Sequence, residues 1–152
     1  MNKELYFLRS SEQKIVNDLV KYAHPKNMDN LNIYTDFYGL TTKDLGLYAL
    51  VQNKIAGAIW SREIDGVPKL SVAILKEFKT QGIGSFMMNQ YLIEASALYE
   101  RIDIDISHKP ASIKFYEKFG FERLDNNLLT KKLEIKEVVR PTDGYDPTRW
   151  MD

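Results

Sequence analysis

Apolar residues recur along this chain at two spacings, and their succession predicts a mixed α/β domain. Residues 4 to 9 (Glu-Leu-Tyr-Phe-Leu-Arg) read as a first strand. Ser10 stands three residues before Gln13, the spacing of a capping box, and Ile15, Val16, Leu19, Val20 and Ala23 then share one helical face. That helix should stop near His24-Pro25, because the residue before a proline is pushed away from helical geometry. A second helix is expected around Leu31 to Tyr38, ended by Gly39. The pattern then turns to β. Leu47 to Gln52 and Ile55 to Ser61 are joined by Asn53-Lys54, short enough for a hairpin, and Asp65-Gly66 is a second turn signal before Leu70 to Leu75.

The strongest helix should begin in Gly82-Ile83-Gly84 and run to about Tyr99, with Ile83, Met87, Tyr91, Glu94/Ala95 and Leu98 at helical spacing. Arg101 to Ile106 alternates Ile and Asp, as a half-buried strand does. Pro110 suits the first turn of a further helix and Gly120 its C-terminal cap. Phe121 to Leu124 and Leu128 to Leu133 follow as strands around Asp125-Asn126-Asn127. The order is β, α, α, β, β, β, α, β, α, β, β. One parallel crossover brackets the helix that starts at Gly82. Residues 134–152 carry two prolines and end in Arg149-Trp150-Met151-Asp152. They read as an irregular tail after a domain of residues 1–133.

Composition narrows the chemistry. At 152 residues the chain is one domain long, enough to bury roughly two thirds of its unfolded surface. Basic and acidic residues number 21 each, so no global field draws it to nucleic acid or an anionic membrane. Without cysteine there is no disulfide, no thiolate zinc site and no cysteine nucleophile. Two histidines, His24 and His108, are too few for a histidine-rich metal site, and no metal is expected. No basic-then-apolar leader and no apolar run of about 18 residues appears. A protein made and kept in the cytoplasm is the expectation.

The most informative stretch is Ile74-Leu75-Lys76-Glu77-Phe78-Lys79-Thr80-Gln81-Gly82-Ile83-Gly84-Ser85. A strand ends, a loop turns, and two glycines open a helix. The first amides of that helix have no internal acceptor, and with the helix dipole they form an anion site that Lys79 supplements. A Walker loop would need Lys-Ser or Lys-Thr after its last glycine, but Ser85-Phe86 follows Gly84. A dinucleotide fingerprint would need Gly or Ala where Met87 stands. Glycines that serve only close packing are the plain alternative. A second constellation, Ser112-Ile113-Lys114-Phe115-Tyr116-Glu117-Lys118-Phe119-Gly120-Phe121, puts Phe115 and Phe119 on one face and turns Tyr116 about 100° away.

Lys79-Thr80-Gln81-Gly82-Ile83-Gly84 resembles the Arg/Gln-x-x-Gly-x-Gly/Ala signature of the GNAT N-acetyltransferase superfamily. Ser112 to Phe121 resembles that family's Ala-x-x-Phe-Tyr-x-x-x-Gly-Phe signature. The pair stands in the family's order, and the likeness covers residues 4 to 133. It implies a mixed, mostly antiparallel sheet of about seven strands with about four helices, splayed between the fourth and fifth strands. It also implies acetyl-CoA as co-substrate, its pyrophosphate on the amides of Thr80 to Ser85 and its pantetheine arm along Val72 to Ile74. The acyl group would lie near Tyr116, the expected catalytic residue. Two positions depart from the pattern: Lys79 replaces Arg or Gln, and Lys109 stands where the family usually has Asn. If Ile102, Ile104 and Ile106 face inward, His108 takes that place instead, and Asp103 falls where some members carry a glutamate base.

Direct acyl transfer to an amine needs a neutral nucleophile, a donor for the carbonyl oxygen and a proton for the leaving thiolate. The amide of Ile74 suits the oxygen. Tyr116, with a phenol pKa of about 10, suits the sulfur, whose thiol pKa is about 8.5. Asp103, Asp105, Glu63, His108 or water are the candidate bases. The acceptor, a small-molecule or peptide amine, should meet residues 27–38 and the hairpin at Glu63-Ile64-Asp65. Asp29, Asp36, Glu63 and Asp65 would attract its charge, while Tyr34, Phe37, Tyr38 and Trp60 would form an apolar wall. Two other readings stand beside the enzyme: a non-catalytic acyl-CoA-binding module, and a homodimer assembled through Trp150 and the tail.

Overall fold

The computed structural model describes residues 3–8, 14, 18, 44–64, 66–79, 81–106, 112–125, 127–134 and 145–146. Eight strands form one sheet: β1 (Lys3–Phe7), β2 (Leu45–Val51), β3 (Lys54–Ile64), β4 (Val67–Ile74), β5 (Arg101–Asp105), β6 (Glu122–Asp125), β7 (Leu128–Lys132) and β8 (Tyr145–Asp146). Their order across the sheet is β6-β7-β5-β4-β3-β2-β1-β8. Pairing is antiparallel except at β4–β5 and β1–β8. Among the described residues two α-helices span several residues, α1 (Ile83–Ala95) and α2 (Ile113–Glu117). Residues 14 and 18, inside the first expected helix, are helical. The rest of that helix and the expected helix over residues 31–38 lie outside the described residues.

Hydrophobic spacing explains why α1 sits where it does. Ile83, Met87, Tyr91 and Ala95 repeat every four residues, and each is fully buried against the sheet with Leu45, Leu47 and Ile59. Burying one large apolar side chain of this kind contributes about 1.5–3 kcal/mol. The opposite face of the sheet is buried as well, at Tyr48, Ala58, Trp60 and Ala73. A sheet covered on both faces needs the near-continuous apolar runs that β2 and β3 carry.

Several element boundaries differ from expectation, and three have a clear physical cause. The β2–β3 loop is Gln52-Asn53, one residue earlier than Asn53-Lys54, because Val51 pairs with Lys54. Both loop residues have positive φ, 51° and 67°, the requirement of a type I′ turn, and asparagine tolerates it well. Helix α1 ends at Ala95 rather than near Tyr99. There Ser96 donates its hydroxyl to the Ile93 carbonyl at 2.7 Å, and the next amides bond three residues back in a tightened turn. Finally, the tail is not wholly irregular: Tyr145 and Asp146 pair in parallel with Leu5 and Tyr6 of β1. The free edge of β1 offers unpaired main-chain groups, which a two-residue strand can use without a regular sequence pattern.

The junction of β4 with β5 positions everything that follows. Their ladder holds one register pair, Lys69↔Asp103, and beyond it the two strands part.

Candidate active site

The gap between β4 and β5 exposes main chain. Leu75 donates its amide to Ala56 at 2.9 Å, continuing the β3–β4 register. In an antiparallel ladder bonding alternates, so Leu75, Ala73 and Ser71 direct their groups to β3. Val72 and Ile74 therefore turn theirs toward the side that β5 has left. Both residues line a cleft of about 420 Å³. Its second wall is Lys79, Gly82, Gly84 and Ser85 before and within α1, and its third is Ser112, Phe115, Tyr116 and Lys118 around α2.

The start of α1 is built by its glycines for two different reasons. Gly82 caps the helix at φ 74°, a left-handed conformation that a side chain disfavours. Its carbonyl receives the Phe86 amide at 3.0 Å, so the amides of Ile83, Gly84 and Ser85 precede the first intrahelical bond. Gly84 is needed for packing: a Cβ there would stand 3.1 Å from Phe115 Cζ and 3.2 Å from Ile74 Cδ1. The first turn of α1 carries no acidic residue. Gln81 donates Nε2 to the Glu77 carbonyl at 3.3 Å, while its buried Oε1 has no partner.

Tyr116 is held by the end of its own short helix. Gly120 (φ 91°) sends its amide to Glu117 at 3.1 Å, and Phe121 sends its amide to the Tyr116 carbonyl at 3.3 Å. This is a Schellman closure, and its usual apolar contact is present, with the Phe121 ring edge-on to Tyr116 at 5.9 Å. Phe115 meets Tyr116 edge-on from the other side at 5.3 Å. The ring is thus clamped and 8% exposed. Tyr116 lines the cleft, and its hydroxyl has no hydrogen bond among the described residues. Burial pushes the phenol far above its usual range, so the group stays protonated.

An open strand edge, a helix end rich in amides and a protonated phenol converge on one cleft. The acetyltransferase (GNAT) domain family matches residues 43–123, just over half of the chain. The chain belongs to the GNAT acetyltransferase family. It is an acyl-CoA-dependent N-acetyltransferase, with acetyl-CoA as co-substrate and an amine as acceptor. No curated protein sequence matches it significantly. Among solved structures it is similar to a phosphinothricin acetyltransferase of Sinorhizobium meliloti in complex with AcCoA, at TM-score 0.67 and 14% identity, covering 97% of each chain. The ribosomal-protein-S18-alanine N-acetyltransferase of Escherichia coli is similar at TM-score 0.66 and 15% identity, over 90% of this chain and 96% of that one. A GNAT acetyltransferase of Streptococcus pneumoniae gives TM-score 0.65 at 15% identity, over 87% and 99%. The fold implied by the two signatures is therefore the fold of this chain, including the splay between β4 and β5, with an eighth short strand and fewer helices among the described residues than the four implied.

The GNAT cleft gathers most, not all, of the residues singled out in the sequence. Val72, Ile74, Lys79, Gly82, Gly84, Ser85 and Tyr116 line it. Ile83 is fully buried in the core, so only its amide is available to a ligand. Thr80, His108, Lys109, Asp65 and residues 27–38 lie outside the described residues. Ser112 and Lys118 also line the cleft and were not singled out for binding. Both belong to the second signature, and the four-residue step from Lys114 to Lys118 could have marked the latter.

The candidate bases separate clearly. Ile102, Ile104 and Ile106 are buried in the core, as the inward phase requires. Asp103 points to the other face, buried, with both oxygens engaged. Arg101 donates Nε to Oδ1 at 2.9 Å and its terminal nitrogen to Oδ2 at 2.7 Å, and the Thr130 hydroxyl donates to Oδ1 at 2.7 Å. Burial alone would raise its pKa, but these hydrogen bonds, with the charges of Arg101 and Lys69, outweigh burial and hold the carboxyl below its usual range. Glu63 lies beside Tyr99, Glu100 and Arg101 in a separate hollow of about 360 Å³ at the β3–β4 turn. Six residues of strand separate its partner Pro68 from Ile74, about 20 Å. Asp105 is half-buried on β5. Trp60 is fully buried, its indole nitrogen without a partner. Among the described residues no group of three acidic or histidine side chains could hold a metal, and no helix is long and apolar enough to cross a membrane.

Proposed function

We propose that this GNAT enzyme transfers the acetyl group in a single ternary-complex step in which Tyr116 supplies the proton to the leaving sulfur. The single observation behind this reading is Tyr116, its phenol held protonated and without a partner among the described residues, lining the cleft where β4 has lost its neighbour. The main-chain groups of Val72 and Ile74 hold the pantetheine arm as a missing strand would be held. The Ile74 amide donates to the carbonyl oxygen as that oxygen gains charge. The amides of Ile83 to Ser85, with Thr80, Gln81, Lys79 and Lys109, hold the pyrophosphate.

The amine nitrogen attacks the carbonyl carbon and forms the new C–N bond. The C–S bond breaks, its electron pair leaves on sulfur, and Tyr116 passes its proton there. The proton shed by the amine goes to water, and solvent returns one to Tyr116. A raised phenol pKa suits this role, because the donor must stay protonated until sulfur becomes negative. Asp103 is not assigned as the base, because its carboxylate is fully engaged by Arg101 and Thr130. Either a small-molecule amine or a peptide amine is a possible acceptor. The active unit is residues 1–133 working in the cytoplasm, with residues 134–152 as a tail that supports a homodimer.

Thiol release from acetyl-CoA with a panel of small amines and peptides tests the reading. Wild-type turnover on at least one amine, strongly reduced in Y116F with acetyl-CoA still bound by calorimetry, is the expected result. Equal turnover by Y116F would remove Tyr116 from the chemistry.

A further inference from the structure

We infer that Lys3, at the first position of β1, is an additional phosphate-binding residue that contacts the diphosphate of acetyl-CoA. This rests on the placement of the diphosphate proposed above. Lys3 is far in sequence from both GNAT signatures, but sheet topology returns it to them. β1 begins, β2 ends, β3 begins and β4 ends at the same end of the sheet's strands, where α1 also starts. The Lys3 ammonium lies 3.8 Å from where a Gly82 Cβ would be, the nearest atom to that point apart from Gly82 and its chain neighbours. It rests over the Phe86 ring, 5.8 Å from the centroid, a contact that holds a long flexible side chain in place.

The electrostatics of that position favour an anion. A helix N-terminus already carries partial positive charge, and a lysine beside it is repelled. Here Lys3 flanks Gly82 on the β1 side, while Lys79 and Lys118 line the cleft. Lys118 is seated like Lys3, 5.5 Å over the Phe115 ring. No carboxylate pairs with any of these three lysines among the described residues, and the first turn of α1 has no acid. Two of these cations, Lys3 and Lys118, are held over aromatic rings, and none has a carboxylate to neutralise it among the described residues. A diphosphate lying on the amides of Ile83 to Ser85 would meet Lys79 and Lys118 from the cleft wall, and Lys3 from outside that wall, beside Gly82.

The test compares wild type, K3M, K3Q and K3R with three acyl donors: acetyl-CoA, 3′-dephospho-acetyl-CoA and S-acetyl-pantetheine, which has no phosphate. For K3M and K3Q, KM for acetyl-CoA should rise about tenfold with kcat nearly unchanged, the loss expected for one charge-assisted contact. K3R should recover most of the loss. The penalty should persist with the dephospho donor, which keeps the diphosphate, and shrink below about twofold with the pantetheine donor. An unchanged KM overturns the assignment. So does an equal penalty with the pantetheine donor, which would mean that Lys3 only packs, or a penalty that vanishes with the dephospho donor, which would place Lys3 on the 3′-phosphate. Failure of wild-type protein to bind acetyl-CoA at all would sink the diphosphate placement itself, a result distinct from these.

Discussion

Tyr99 and Tyr116 are both buried, and burial drives both phenols far above their usual range. Their hydroxyls differ. Tyr99 stands 3.2 Å from Ser61 Oγ, which also receives the Tyr91 hydroxyl at 2.5 Å, and Ser61 lies 3.5 Å from the Leu45 carbonyl. Those contacts tie α1 and the turn after it to β2 and β3. Tyr116 has aromatic neighbours on two sides and no polar partner among the described residues. A shifted pKa is thus common to a structural tyrosine and a proposed catalytic one. What separates them is whether the hydroxyl already has a partner or faces space that a ligand can fill. The same contrast runs along β4 and β5: where they meet, the carboxylate of Asp103 is fully bonded, and where they part, main chain stands open.

Four substitutions would break or sharpen this comparison. The largest effect belongs to Y116F, which should lower kcat by about 10²–10⁴-fold, the usual range for a positioned proton donor, and leave the melting temperature almost unchanged. A large loss of stability would show that the hydroxyl has a structural partner. D103N comes next. It removes a carboxylate that accepts three hydrogen bonds, one partner being partly exposed, and should cost about 1–3 kcal/mol in denaturant unfolding. Because the folded pKa of Asp103 lies below the unfolded value of about 3.9, its stabilisation is complete above that pH. It is lost as pH falls through the folded value, so wild type and D103N should converge in acid. If D103N instead keeps its stability and loses kcat, Asp103 is the base.

G84A should cost about 1 kcal/mol and raise KM for acetyl-CoA severalfold with little change in kcat, because the added methyl pushes Phe115 or Ile74 off the cleft wall. An unchanged KM would make the close contact at Gly84 irrelevant to binding. The smallest effect is Y91F. Loss of one donor to a buried serine should cost about 1 kcal/mol and leave turnover as it was, measured by urea unfolding and thiol release. A fall in kcat for Y91F would join the two tyrosine regions and erase the contrast between them.

Much of this is legible in the sequence itself. The four-residue repeat Ile83, Met87, Tyr91, Ala95 marks a helix with a buried stripe, since only a 3.6-residue period stacks those positions. Gly82 marks where that helix starts and Gly120 the C-terminal cap of the next one, and alternation in Arg101 to Ile106 marks a half-buried strand. The two glycine-bearing signatures name the family, because their residue types are set by local backbone needs that do not depend on distant neighbours.

Other facts are properties of assembly. That Glu63 sits about 20 Å along the strand from the cleft, or that Asp103 is consumed by Arg101 and Thr130, depends on strand register, which no single segment specifies. The nearness of Lys3 to Gly82 arises only when β1 joins the far side of β2, and the pairing of Tyr145–Asp146 only when β1 has an edge to offer. Period and turn chemistry act over a few residues, so the chain spells them out. Which polar atoms finish with partners is settled when strands pair across long loops, and that was for the tertiary structure alone to decide.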